Sequence, residues 1–306
     1  MNGKYFLSID NGTQSVRAMV FDGQGQLIAK SKIEIEPYFS NQKGWAEQNA
    51  EYFWNSLCQA CLELWPKLSI SKELIAAVSV TTQRATIVPM GIDNQPLRPA
   101  ITWLDQRQVQ TKPKLGKLES VIMGIIGAKP LVDLMHAEAE ANWIQQNEPE
   151  IWKQVHKFLL LSGYHNYKLT GQYNDAIAST VGFVPFEYKT QRWAEQKDWK
   201  WRAMSILPEM LPEVLPAGSV LGEITEAAAE ETGIPKGDVV ADVWTPVPSD
   251  LSFLPLPPPQ PPFCPFPTAG FPLPSYDPPR PPPIAVRTYV PPASLICVSP
   301  PVIAAT

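Results

Sequence analysis

Asp10-Asn11-Gly12-Thr13-Gln14-Ser15-Val16-Arg17 closes one short apolar run and opens the next. Residues 4–9, 16–21 and 27–35 have the length and apolar content of strands. They are separated by this octapeptide and by Asp22-Gly23-Gln24-Gly25, both rich in turn formers. Strands joined by turns this short must run antiparallel. The first 35 residues are therefore expected to form a three-stranded meander.

Working outward, residues 48–64 read as an amphipathic helix, with Phe53, Trp54, Leu57, Cys61 and Leu64 at helical spacing. An apolar run at 74–80 and a strand at 86–90 follow. A turn at Gly91-Ile92-Asp93-Asn94-Gln95-Pro96 leads to a strand at 100–103. Residues 137–146 and 149–155 read as helices, and 158–161 as a buried strand. Strands alternating with helices predict a mixed α/β domain around a central sheet.

Three polar clusters sit where such a fold places ligands. In the first, Gly12 permits a tight turn, and Thr13, Gln14 and Ser15 offer donors that can cradle phosphate oxygens. Asp10 would repel phosphate unless it holds a hydrated Mg2+ between them. Arg17 adds a positive charge on the next strand. The same residues also suit a plain polar hairpin. The second cluster, Thr81-Thr82-Gln83-Arg84, ends a buried strand, where α/β sheets place ligand crevices; a solvated loop is the alternative. In the third, Trp103-Leu104-Asp105-Gln106-Arg107, the indole suits the C–H face of a sugar. Asp105 and Arg107 either fix hydroxyls or pair with each other.

Composition excludes several classes. The chain of 306 residues carries a net charge of −5. It shows no basic stripe, so nucleic acid is not an expected partner. No apolar run reaches the ~18 residues that span a bilayer. The apolar start at 5–7 is too short for a signal peptide, which predicts a cytoplasmic protein without a membrane partner. Cys58 and Cys61 form a C-x-x-C in mid-helix, without a second pair to complete a zinc site; core thiols are expected.

The composition changes once. Residues 238–306 hold 21 of the 34 prolines and one of the 17 glycines, and contain no Lys, Glu or His. Runs such as Pro257-Pro258-Pro259 favour polyproline II or disorder, and no strand or helix period is visible there. The aromatic residues Phe253, Phe263, Phe266, Phe271 and Tyr276 are unusual for a solvated linker.

Taken in order, the clusters resemble the N-terminal domain of the FGGY carbohydrate kinases. Asp10 to Arg17 is similar to the family's phosphate hairpin, and Gly44-Trp45-Ala46-Glu47-Gln48 to its W-x-E-Q segment. Thr82-Gln83-Arg84 and the run from Pro99 to Arg107 are similar to its substrate-facing segments. Leu211-Pro212-Glu213-Val214 and Thr232-Gly233-Ile234-Pro235-Lys236-Gly237 are similar to its approach to the interdomain region. The resemblance implies an actin-like ATPase, ribonuclease H-like fold over residues 1–237. It also implies ATP and Mg2+ as cofactors and a small-molecule sugar or polyol as partner. Asp10, Gly12, Thr13, Gln14, Ser15 and Arg17 would face the nucleotide, with Asp10 holding Mg2+ through water. Gln83, Arg84, Trp103 and Asp105 would face the sugar. A homodimer of a full-length parent is left open.

Two departures bear on activity. Glycerol kinases carry Arg-Glu where this chain has Arg84-Ala85, and xylulokinases a Met-His pair, so a sugar other than glycerol is expected and its identity stays open. The family's catalytic base is an Asp in a Gly-Gly-Asp-type turn; Asp242 lacks such glycines, and no catalytic base is assigned. Residues 238–306 are expected to be a disordered tail or one translated out of frame, on a chain that is incomplete and inactive as a kinase. The alternative is a non-catalytic sugar-binding lobe whose Pro-rich arm, with a P-x-x-P at Pro259 to Pro262, docks a partner.

Overall fold

Alternating apolar residues set the first three strands. In the computed structural model, which describes residues 5–113, 115–216 and 218–241, β1 (Tyr5–Asn11), β2 (Ser15–Asp22) and β3 (Leu27–Glu34) form the expected antiparallel meander. The strand Ile75–Thr82 joins β1 in parallel, and Val239–Ala241 joins Ile75–Thr82 in parallel. Val220–Glu223 closes the far edge antiparallel, completing a six-stranded sheet.

One face of this sheet is core. Leu7, Ile9, Val16, Ala18, Val20, Val78 and Val80 are buried there against Phe53, Trp54, Leu57 and Leu64 of α1 (Ala50–Leu64) and Leu161 and Leu169 of the helix Leu161–Thr170. Asn49 starts α1 by accepting a hydrogen bond from the Glu51 amide, and Pro66 lies just beyond its end. Each large apolar side chain buried by α1 contributes about 2 kcal/mol. Trp54 Nε1 also donates to Glu231 Oε2 at 2.6 Å, tying α1 to the helix Glu226–Thr232. Cys58 and Cys61 are buried in this core as expected. Burial pushes the Cys58 thiol up to about 12 and raises that of Cys61 as well, so neither is a nucleophile near neutrality. The opposite face of the sheet is half-buried and carries Phe6, Ser8, Asp10, Arg17, Met19, Ser79 and Thr81.

The chain leaves this sheet at Thr82 and enters a second one at Ile87. That sheet orders Glu47–Gln48, Ala100–Ile101, Ile87–Met90 and Lys157–Leu160, all antiparallel. It has its own core, which includes Ile87, Ile101, Trp143, Phe158 and Trp201. Between the sheets, Ala85 adopts the left-handed region at φ 52°, and a Cβ added at Gly182 would come 3.7 Å from its Cα.

The structure differs from expectation in three places. The helix expected at 137–146 is two, Lys129–Glu138 and Glu140–Asn147, with Ala139 extended between them. Asn142 Nδ2 reaches back to the His136 carbonyl at 2.9 Å, satisfying an oxygen that the break would orphan, and to the Ala203 carbonyl at 2.7 Å, which ties the break to the helix Trp199–Met204. The helix Leu161–Thr170 was not expected: it is buried on nearly every side, so no apolar stripe marks it. The sheet also takes in Val239–Ala241, past the edge expected at 237; a three-residue strand shows no readable period. The rest of the Pro-rich segment, from residue 242, lies outside the described residues. Among the described residues no single helix is long and apolar enough to cross a membrane.

Candidate functional site

The hairpin between β1 and β2 builds one wall of the site. Its turn is closed by Gly12 N–H donating to the Ser15 carbonyl at 3.0 Å. Antiparallel register sets Asp10 opposite Arg17 and Arg17 opposite Lys32, while parallel pairing sets Asp10 beside Thr81. Residues directly opposite share a face, so Thr81, Asp10, Arg17 and Lys32 make one polar row across the sheet. Arg17 Nη1 donates to Asp10 Oδ2 at 2.7 Å, and Thr81 Oγ1 approaches Asp10 Oδ1 at 3.4 Å. The Thr13 and Gln14 amides make no backbone bond among the described residues, which leaves donors for an anion.

The second wall is Trp103. Its Nε1–H donates to Thr13 Oγ1 at 3.1 Å, and the indole is 51% exposed. Gly12, Thr13, Gln14, Ser15, Arg17, Lys32, Glu34, Trp103 and Leu104 together line a cleft of about 460 Å³. Five of the six expected phosphate residues and one expected sugar residue therefore meet in one place, while Asp10 does not line the cleft itself but pairs with Arg17, which does.

The other expected sugar residues divide. The Gln83 amide N–H donates to the Asn11 carbonyl at 2.9 Å, which sets the segment against the hairpin. Its side chain is only 9% exposed, and neither Oε1 nor Nε2 has a partner. A buried amide with both ends open costs stability unless a ligand or water fills it. The Thr86 hydroxyl, fully buried three residues on, is also unpartnered. Arg84 is exposed and makes no ion pair among the described residues.

Asp105, expected at the substrate, is instead packed into an internal network. Its side chain is 3% exposed. It accepts from Arg107 Nε and Nη2 at 2.8 and 2.7 Å and from the Ala46 amide at 2.6 Å. Arg107 also reaches Glu47 at 2.8 Å, and Arg98 pairs with the same carboxylate. The Arg107 guanidinium lies 4.1 Å from the Trp45 ring centroid and 4.4 Å from that of Trp143. Burial alone would lower the Arg107 pKa; its bonds to Asp105 and Glu47 outweigh that and raise it. Of the two roles open to Asp105 and Arg107, the structure has them pair. The segments 44–48 and 100–107 are thus bound to each other, and Trp103 stands at the end of a rigid strap.

Sequence reasoning passed over Lys32 and Glu34, an exposed pair 2.6 Å apart on the cleft rim. The β2–β3 register would have revealed Lys32, since it fixes Arg17 opposite Lys32 once both strands are placed. It also passed over Asn11, whose polar side chain is fully buried under the turn.

No group of three or more metal-ligating side chains occurs among the described residues. One half-buried carboxylate in a polar row fits a hydrated Mg2+ that arrives with a nucleotide, not a resident metal.

Residues 5–243 match the model of the FGGY family of carbohydrate kinases, N-terminal domain. The chain is 28% identical over 227 residues to a glycerol kinase of Thermococcus gammatolerans, covering 72% of this chain and 44% of that protein. It is also 28% identical over 224 residues to a xylulose kinase of Lactococcus lactis, with the same coverage of each chain, 72% and 44%. The chain therefore spans less than half the length of these curated relatives. The crystal structure of xylulose kinase from Rhodospirillum rubrum superposes with a TM-score of 0.65 at 21% identity, over 78% of this chain and 48% of that one. The fold is the actin-like, ribonuclease H-like fold that such sugar kinases share, and the chain belongs to the FGGY family of carbohydrate kinases through its N-terminal domain.

Proposed function

We propose that this chain is the sugar-holding lobe of an ATP-dependent carbohydrate kinase. The observation that carries the reading is the Trp103 Nε1 to Thr13 Oγ1 hydrogen bond of 3.1 Å. Phosphoryl transfer needs the phosphate and the acceptor hydroxyl within contact of each other. A hairpin suited to phosphate and an indole suited to a sugar face meet across one cleft, which is the geometry that requirement demands. When bound with a nucleotide, Mg2+ would supply charge neutralisation at the phosphates, and Asp10, on the polar row beside the cleft, would hold it through water. Arg17 and the Thr13 and Gln14 amides would bind and orient the phosphates. The open amide of Gln83 can both donate to and accept from a hydroxyl, which supports a polyhydroxyl ligand. Ala85 brings no carboxylate to this segment, which favours a sugar over glycerol.

The chain on its own is expected to be inactive. No catalytic base is assigned among its residues, and such a base contributes ~10²–10⁴-fold. A coupled kinase assay with a panel of sugars and polyols should show no turnover. Calorimetry should show weak binding of magnesium tripolyphosphate and of at least one sugar. Turnover near ~10 s⁻¹ overturns the inactivity, and absence of both bindings overturns the lobe assignment.

The compositional break near residue 238 supports an out-of-frame origin for the Pro-rich segment. Translating the coding DNA in all three frames should reveal a kinase-like continuation in one of the other two. Its absence from both removes this part of the reading.

A further inference from the structure

We propose that His165 is a positioning residue for the phosphate hairpin, acting through the Asn11 side chain on the peptide that joins Gly12 to Thr13. The proposal rests on the kinase reading above. His165 lies in the helix Leu161–Thr170, behind the sheet, and both it and Asn11 are fully buried. His165 Nε2 is 2.9 Å from Asn11 Oδ1, and Asn11 Nδ2 donates to the Gly12 carbonyl at 3.2 Å.

The chemistry of these contacts fixes every proton. A carbonyl only accepts, so the Asn11 nitrogen must face Gly12 and its oxygen must face the histidine. The ring must then carry its proton on Nε2, leaving Nδ1 a bare lone pair. Nδ1 indeed has no partner. The ring sits among apolar neighbours, with its centroid 6.2 Å from that of Trp54 and 5.8 Å from that of Tyr164. Burial first, and then the Lys168 charge, push its pKa down to about 3. His165 is therefore a constant neutral donor and no acid or base at neutral pH.

Peptide planarity carries the effect to the cleft. The Gly12 carbonyl and the Thr13 N–H belong to one trans plane and point in opposite directions. Holding the carbonyl inward toward Asn11 aims the Thr13 N–H outward, on the side where an anion would lie. The Asn11 carbonyl also accepts from the Gln83 amide, so the same residue joins the hairpin to the Gln83 segment. A leucine at 165 could fill the space but could not set the Asn11 amide.

The test uses the whole chain. Nitrogen NMR of the wild-type ring should show the Nε2-protonated tautomer; a proton on Nδ1 overturns the proposal. His165→Leu should shift the Thr13 amide signal, speed its hydrogen exchange and weaken magnesium tripolyphosphate binding about tenfold. His165→Gln, which can offer a side-chain N–H, should recover most of the affinity. Asn11→Asp, read at a pH where the carboxyl is ionised, keeps the acceptor for His165 but cannot donate to Gly12, and should reproduce the loss. If His165→Leu leaves the Thr13 amide and the affinity unchanged, the role is only structural and the proposal fails. If wild type does not bind tripolyphosphate, the kinase reading fails, and the Thr13 amide alone decides the role of His165. If His165→Leu does not fold, the wild-type tautomer and Asn11→Asp decide it.

Discussion

Arg17 Nη1 lies 2.7 Å from Asp10 Oδ2, directly across the β1–β2 hairpin. The pair is partly solvated, with side chains 44% and 35% exposed. Such a pair contributes at most ~1 kcal/mol to folding, so its value lies elsewhere. In the proposed function it holds a cation and an anion beside the cleft, and each exchanges its partner for a ligand. Arg17→Met is expected to leave the unfolding midpoint nearly unchanged and to weaken tripolyphosphate binding about tenfold. Asp10→Asn should make that binding insensitive to Mg2+. Calorimetry with and without the metal separates the two; an Asp10→Asn chain with the wild-type metal dependence removes Asp10 from the site.

Trp103 is half exposed and donates its indole N–H to Thr13. A sugar that stacks on the ring should change its emission. The chain has ten tryptophans, so the signal is the difference between wild type and Trp103→Phe. A panel of ketoses, aldoses and polyols should give a saturable difference with at least one sugar and a weaker one with glycerol. Identical titrations of the two proteins would place the sugar elsewhere.

Arg107 is enclosed by Trp45, Trp143, Asp105 and Glu47. Arg107→Ala would leave the buried Asp105 carboxylate without its cation and Glu47 with Arg98 alone, and is expected to cost about 3–5 kcal/mol in urea unfolding. Arg107→Lys should recover little, because an ammonium cannot make the paired bonds or lie flat between two indoles. Asp105→Asn should lower stability too, while sugar affinity per folded molecule stays at the wild-type level. A selective loss of sugar affinity in Asp105→Asn would restore it to the substrate site.

Glu140 opens the helix after the Ala139 break, and its Oε2 is buried without a partner. Burial above all pushes its carboxyl up to about 8; Asp105 and Glu138 add to this, and its own backbone bond and Arg107 oppose it. The folded state thus holds a proton that the unfolded chain releases near pH 4.5. Stability from this group is fully present below that pH and is lost as pH rises toward 8. Glu140→Gln should match wild type near pH 4.5 and exceed it by about 2 kcal/mol at pH 8, the full shift being discounted for the part of Glu140 that meets solvent. Parallel pH–stability curves for the two proteins would remove Glu140 as the cause.

The meander and α1 were legible because each has one apolar face and one polar face, and glycines mark its turns. The Leu161–Thr170 helix was not, because Ser162, His165 and Asn166 face inward along with Leu161 and Leu169. Their partners, Asp175 in the next strand and Asn11 at the far end of the domain sequence, carry no periodic mark within the helix itself. Gly163 belongs to that packing: a Cβ there would come 3.2 Å from Asp175 Oδ2. In the site, the facing of Asp10 and Arg17 follows from a hairpin of known register. The meeting of Trp103 with Thr13 does not, since it depends on how two sheets are joined. The sequence left the choice for Asp105 open because an Asp two residues before an Arg serves an internal pair as well as a ligand, and only burial decides.

The parallel strand Ile75–Thr82 lies in the middle of the main sheet, yet among the described residues one of its flanks is paired by Val239–Ala241, the last strand they contain. On the ribosome the first four strands of that sheet can assemble long before residue 239 emerges. Until then Ile75–Thr82 is a raw edge of apolar backbone, open to pairing with another nascent chain. Closing it needs a contact across most of the domain, which is slow to form. Yield of soluble protein should therefore depend on how long that edge stays open, and chains cut short before Val239 should be far more prone to clump than chains that include it.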